Sequence, residues 1–247
     1  MSRRYPGILS LQGLEIVQQT ARHVARYLSL LCLSGLITLP TIIQADDGIG
    51  LRPLRTIPPA KLASILPSDT HVLIDRSAIE AFLVALEGAP PDWATVYGHG
   101  HHDPGHDERL FNLNRERDAA RERNPVLNWH VAFVWPGELS QFDPETKGYA
   151  VAVGPEFNST RWGIVRFKPE EFPNNLRVRP DKKLAGRISR SLAKREKAHV
   201  LVVMAGVLIP SESIIYDFSH EEEGVGLIMP VVRVEQVEVL FREPQVP

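Results

Sequence analysis

The sequence predicts an α+β fold: a β-rich small barrel, or a curved and mostly antiparallel sheet, with about three helices. Three observations carry this. Trp129, Val131, Phe133 and Trp135 alternate with His130, Ala132 and Val134, the period of a strand that packs one aromatic face. Residues 199–209 are almost continuously apolar, as in a strand buried on both sides. Around these strands, three segments carry apolar residues at helical spacing.

In chain order, residues 1–45 form an expected export signal. Arg22 and Arg26 precede an apolar run over residues 28–43, broken late by Pro40 and followed by Ala45, then Asp46 and Asp47. A basic flank, a short apolar core and a small residue at the end are the parts of a cleavable leader, with the cut behind Ala45. The run is shorter than the roughly 20 apolar residues of a membrane span. The expected mature chain is therefore exported, periplasmic or secreted, with no membrane span. Cys32, the only cysteine, falls inside the leader. A mature chain without thiols excludes a disulfide scaffold, a cysteine-ligated zinc site and a cysteine nucleophile.

Residues 46–75 carry Pro53, Pro58, Pro59 and Pro67 and are expected to be a Pro-rich extended linker, because proline removes backbone donors and resists helix. Residues 76–125 are expected to be a helical region with a histidine-rich loop. Ser77 and Glu80 have the spacing of a capping box, Ile79, Phe82, Leu83 and Leu86 fall on one helical face, and Gly88 ends the helix. A second helix over residues 107–123 begins with Asp107 and Glu108, which suit its positive end, and stops at Asn124 and Pro125. Its second half is nearly all polar and is expected to lie in water.

Residues 126–247 are expected to be a β-rich domain with one inserted helix. Strands are placed over 129–135, 148–153 and 161–167, the first two joined by a turn-rich hairpin through Asp143, Pro144 and Gly148. A helix starts at Pro180, with Leu184, Ile188 and Leu192 on one narrow stripe, and the strand over 199–209 follows. Two further strand regions cover 213–217 and 226–241. In the last, Pro230 argues for an edge or a break. Val232 and Val234 share one parity while Val237, Val239 and Phe241 share the other, so a bulge near Glu235 and Gln236 is expected to keep both sets facing inward. Three strands, a helix and at least two strands is the element order of an OB-type barrel.

Two constellations carry chemistry. In the turn from His99 to Asp107, the run Asp103, Pro104, Gly105, His106 is a strong β-turn signal, and such a turn brings its ends within about 7 Å. His99, His101, Asp103 and His106 are thereby the candidate ligands of zinc or another divalent transition metal. The spacing departs from the His-x-His-x-Asp-His signature of the metallo-β-lactamases, because Pro104 and Gly105 push the next histidine two places late. The second constellation is electrostatic. The whole chain is nearly neutral, at net −2. Residues 161–197, however, hold twelve basic residues against four acidic ones, and residues 211–243 hold two against eight. If the strand near 161 is regular, Trp162, Arg166 and Lys168 share a face, a stacking ring beside cations that suits an acidic glycan or another polyanion.

These observations lean away from an enzyme: the metalloprotease His-Glu-x-x-His, the esterase Gly-x-Ser-x-Gly and the phosphate-binding Gly-x-x-x-x-Gly-Lys patterns are all absent from the sequence. The leading expectation is an exported, non-enzymatic binding or interaction module whose partner is an acidic glycan, a lipid headgroup or an envelope protein rather than nucleic acid. The alternatives are a metal-binding protein or metal-dependent hydrolase centred on the histidine turn, and a structural envelope component.

Overall fold

The computed structural model describes residues 51–99, 103–172, 175–209, 214–220 and 224–242; the expected leader lies outside the described residues. Eleven strands are described: β1 (Leu51–Arg55), β2 (His71–Val72), β3 (His130–Asp143), β4 (Gly148–Val153), β5 (Asn158–Thr160), β6 (Gly163–Val165), β7 (Lys168–Pro169), β8 (Arg177–Pro180), β9 (His199–Leu208), β10 (Ile214–Phe218) and β11 (Gly226–Phe241). With them are helices α1 (Arg76–Glu87), α2 (Trp93–Tyr97), α3 (His106–Arg121) and α4 (Lys182–Ala193), and 3-10 turns at Pro59–Ile65 and Pro125–Asn128. None of the described helices is long and apolar enough to cross a membrane.

Six strands close into a barrel in the order β1, β8, β4, β3, β9, β11 and back to β1. The pairs from β8 round to β11 are antiparallel. The two pairs that β1 makes are parallel, with Leu51 opposite Arg177 on one side and Leu54 opposite Val239 on the other. The predicted β-rich barrel with flanking helices is therefore present. Its seal comes from an unexpected place, because β1 lies inside the segment expected to be a linker. Proline-rich chain favours extension as much as it resists helix, and Leu54, only 4% exposed, anchors that extended piece in the core. The following 3-10 turn places Leu62 and Leu66 against Ala132, Val203, Ala205 and Leu240 on the outer wall.

The OB-type order is also modified. Strands, helix and strands do follow one another as β3, β4, β8, α4, β9 and β11, but the strand before the helix is β8 and not the expected one over 161–167. That region divides into the short strands β5, β6 and β7; β6 and β7 run parallel to β11 outside the barrel ring. β11 pairs with β10 over its first five residues and with β9 from Val232 onward, and its register shifts between Val234 and Gln236. This is the bulge that the parity change predicted. Pro230 sits where β11 leaves β10 for β9, so its missing N–H falls at a change of partner.

The barrel interior is filled by Phe133, Val178, Val202, Met204 and Val239, and α1 lays Ile79, Phe82, Leu83 and Leu86 into the same core. The cap of α1 is Asp75, which accepts from the Ala78 N–H at 2.9 Å, rather than the expected Ser77 and Glu80 box. Ser77 instead donates to Asp75. The helix α3 is solvated as expected over much of its length, with one exception the residue types hid. Arg121 is 2% exposed and pairs with Glu87 of α1, whose side chain is 1% exposed. Arg117 donates to the same carboxylate at 3.1 Å, and so does the Tyr216 hydroxyl. Asn114 exchanges two hydrogen bonds of 2.9 Å with the Tyr216 backbone. Burial first, and the Glu87 charge second, push the Tyr216 phenol far above its ordinary range, so it stays protonated and donates.

Removing one member of a buried charge network leaves the others desolvated and unpaired. Glu87→Ala is expected to lower unfolding free energy by about 3–5 kcal/mol in urea titration, with Glu87→Gln losing less. A loss below about 1 kcal/mol for the alanine variant would show that the network is not load-sharing.

Candidate functional site

The predicted binding face does not assemble as expected. Trp162 is fully buried and offers no stacking surface. The cause is a tight turn: the Thr160 hydroxyl donates to the Gly163 carbonyl at 2.8 Å and accepts from the Trp162 N–H at 3.1 Å, and Gly163 takes a φ of 126° that a side chain would oppose. This rolls the indole into the core. Its carbonyl accepts the Trp93 indole N–H at 2.6 Å, and Trp93 in turn occupies the space a side chain at Gly226 would need. Arg166 and Lys168 remain outside, half-buried and exposed respectively. The strand alternation that would have put all three on one face breaks between Val165 and Lys168.

In the histidine turn, His101 lies outside the described residues. The expected β-turn is present, with the His106 N–H donating to the Asp103 carbonyl at 3.1 Å. Its carboxylate is already engaged. Asp103 accepts the Gly105 N–H at 2.9 Å and the His99 N–H at 3.1 Å, and it pairs with Arg109 at 2.9 Å. Those backbone donors, with the guanidinium beside them, hold the Asp103 carboxyl well below the usual carboxylate range. His106 donates from Nδ1 to the Asp103 carbonyl at 2.6 Å and rests against Phe218, ring centroids 5.0 Å apart. Among the described residues no three His, Asp or Glu side chains stand where they could hold a metal. Arg109, six residues past Asp103, takes the cationic place that the sequence suggested for an ion.

The surplus of positive charge is resolved by space rather than by sequence. Arg161 is neutralised by Glu80 of α1, Arg177 by Asp143 and Lys197 by Glu138. Lys182, Lys183, Arg190, Lys194 and Arg195, by contrast, are exposed and form no ion pair among the described residues. They lie on and just beyond α4. That helix is capped by Asp181, which accepts the Leu184 N–H at 2.7 Å, and it buries only Leu184 and Ile188. Its outer faces are free for cations because one narrow apolar stripe suffices to dock it.

Arg55 of β1 joins this face. A groove of about 410 Å³ runs between β1 and the first turns of α4, lined by Arg55, Thr56, Lys183 and Arg187, with Asp181 and Leu184. A second groove, about 620 Å³, flanks the other side of α4 between Leu192, Ala185 and the hairpin residues Phe142, Lys147 and Tyr149. Phe142 is 47% exposed and leans on Tyr149 at 5.0 Å. Sequence counting found the charge surplus but not Arg55, which is distant in the chain and joins only because β1 pairs with β8. Clustered cations without counterions raise the local concentration of anions and lose that effect as salt screens them. Compared with known proteins, the chain matches no family model, no curated protein and no solved structure.

Glu80 supplies a pH-dependent tie between α1 and the turn after β5. The Arg161 N–H at 2.8 Å, and next the Arg76 side chain at 2.9 Å, lower its pKa to about 2 from 4.5. Because the folded pKa is depressed, the stabilisation is complete above pH 4.5 and is lost as pH falls toward 2. Thermal unfolding of Glu80→Gln is expected to start from a lower midpoint at pH 7 and to decline less than the parent between those pH values. Parallel acid curves for parent and variant would exclude this tie.

Proposed function

We propose that this protein is an exported, non-enzymatic binding module of the cell envelope that docks on an acidic glycan through α4 and the adjoining end of β1. The observation that carries this reading is the set of exposed cations, Lys182, Lys183, Arg190, Lys194, Arg195 and Arg55, mounted on the barrel wall without counterions among the described residues. Cations that merely solvated a helix face would serve as well if scattered. Their concentration beside a polar groove supports recognition of a repeating anion, which can meet several of them at once. The leader, expected to end at Ala45, supports an envelope partner over nucleic acid. The metal-dependent alternative has less behind it, because Arg109 and two backbone N–H groups already satisfy Asp103.

Retention of the full chain on immobilised heparin, used as a generic acidic glycan, tests the docking face. Binding is expected at low salt and abolished near 1 M, where the Debye length falls to about 3 Å. The combined variant Lys182→Glu, Lys183→Glu, Arg190→Glu, Lys194→Glu is expected to bind at least about tenfold more weakly, since like charge now faces the anion. Equal retention of variant and parent would refute the face; preferential capture by anionic lipid vesicles would reassign it to a membrane surface. The export part of the proposal is checked separately by N-terminal sequencing of protein recovered from its native cell. The expected first residue is Asp46, and an intact residue 1 in the cytoplasm would overturn it.

A further inference from the structure

Two buried side-chain donors have no hydrogen-bond partner among the described residues: Nε1 of Trp135 on β3 and Nε of Arg166. They belong to one cluster. The Arg166 guanidinium lies 6.0 Å from the Trp135 ring and 5.6 Å from the Phe157 ring, and Phe172 stacks on Trp135 at 5.5 Å with the planes 21° apart. Trp135 is 6% exposed, whereas Phe157 and Phe172 are 39% and 36% exposed, so the cluster has a covered floor and an open aromatic rim.

A fold normally satisfies its buried donors, and a guanidinium set among rings normally has a counterion. The buried Arg121 has Glu87, and Arg117 shares it. Arg166 forms no ion pair among the described residues, and Glu170, four positions on, is engaged by Arg233 at 3.1 Å. The terminal guanidinium nitrogens likewise bond nothing among the described residues. Neither donor meets an acceptor among the described residues.

We infer that Arg166, Trp135, Phe157 and Phe172 form a carboxylate subsite for a uronic-acid residue of an acidic glycan. The planar guanidinium fork matches a carboxylate bidentately, which an ammonium cannot do. The unpartnered Trp135 indole N–H is a second donor in the same cluster, available to a carboxylate or a ring hydroxyl that reaches it. The exposed faces of Phe157 and Phe172 take the C–H face of the sugar and part by ordinary side-chain rotation as it seats. A carboxylate suits this cluster better than a phosphate, because a single guanidinium holds one charge here. A sugar suits it better than an extended peptide: next to β5, the N–H of Arg161 that would pair with an added strand is already given to Glu80. This deepens the polyanion proposal by naming the acidic group of the ligand, and it rests on residues separate from those of α4.

The test is titration of the full chain with trigalacturonate, followed by tryptophan fluorescence. The parent is expected to saturate, and its fully methyl-esterified counterpart to bind at least about tenfold more weakly, because the ester removes the charge that the fork recognises. Arg166→Lys is expected to lose about tenfold, retaining charge without the fork, and Trp135→Phe a smaller factor, retaining the ring without its donor. The α4 charge-reversal variant should keep trigalacturonate affinity within about twofold while losing heparin, since the subsite shares no residue with α4. Four outcomes overturn the subsite: no saturation by the parent, equal affinity for the ester, equal affinity of Arg166→Lys, or Arg166-dependent binding of a short peptide's C-terminal carboxylate in place of the sugar. The ester comparison uses unmodified protein, so it decides the matter even where a variant fails to fold. Heparin retention without trigalacturonate binding removes the subsite alone, and the reverse result removes the α4 face alone.

Discussion

The structure depends on the sixteen residues of β11. This strand pairs with β9 and β10 on one side and with β1, β6 and β7 on the other, so five strands take their place from it. A strand that long cannot keep one face toward a closed core without correcting its own pleat and twist. The register shift between Val234 and Gln236 makes that correction. It lets Val232 at one parity and Val239 at the other both reach full burial. Without the extra residue, the half that seals the barrel against β1 would turn Val237, Val239 and Phe241 toward solvent. Barrel closure and the outer sheet are consequences of one bulge.

What could be recognised in the sequence follows from how far apart the interacting residues lie. The three longer helices, the apolar β9 and the bulge are encoded by neighbours a few places apart, and periodicity exposes them. β1 is different. Its five residues have no pattern of their own, and they become a strand only because Val178 and Val239, more than a hundred residues later, present edges on both sides. The Glu87 cluster is hidden for the same reason. Asp118, three residues earlier on α3, also pairs with Arg121, but nothing within α3 marks Arg121 as its buried residue, since the buried charge that meets it is on α1 and the phenol that completes the cluster is on β10.

The residues of the expected binding face illustrate this at closer range. Trp162 and Trp135 are equally plausible anchors on composition, and the local turn decides between them. Gly163, at positive φ, bends the chain so that Trp162 enters the core, while Arg166 comes to lie against Trp135, thirty-one positions earlier. The ring beside Arg166 is therefore that of Trp135 on β3 and not the expected Trp162. In the histidine turn, the sequence correctly brings Asp103 and His106 together. It leaves unsaid that Arg109 folds back along the first turn of α3 to reach the same carboxylate.

Sorting the cations by what neutralises them separates scaffold from surface. Arg117 and Arg121 are desolvated, and the fold supplies Glu87 because an unpaired buried charge would be costly. Arg161, Arg177 and Lys197 tie one element to another, and each has its own carboxylate. Lys182, Lys183 and Arg190 of α4 and the guanidinium of Arg166 have neither role and, among the described residues, no counterion. For the α4 residues water is an adequate substitute, so their lack of counterions speaks only through their number. For Arg166 it is not adequate, because its Nε is shielded from solvent. A half-buried guanidinium held beside the Trp135 and Phe157 rings with no acceptor among the described residues is the arrangement that gains most from an external carboxylate, and it is here that specificity, rather than bulk attraction, would be located.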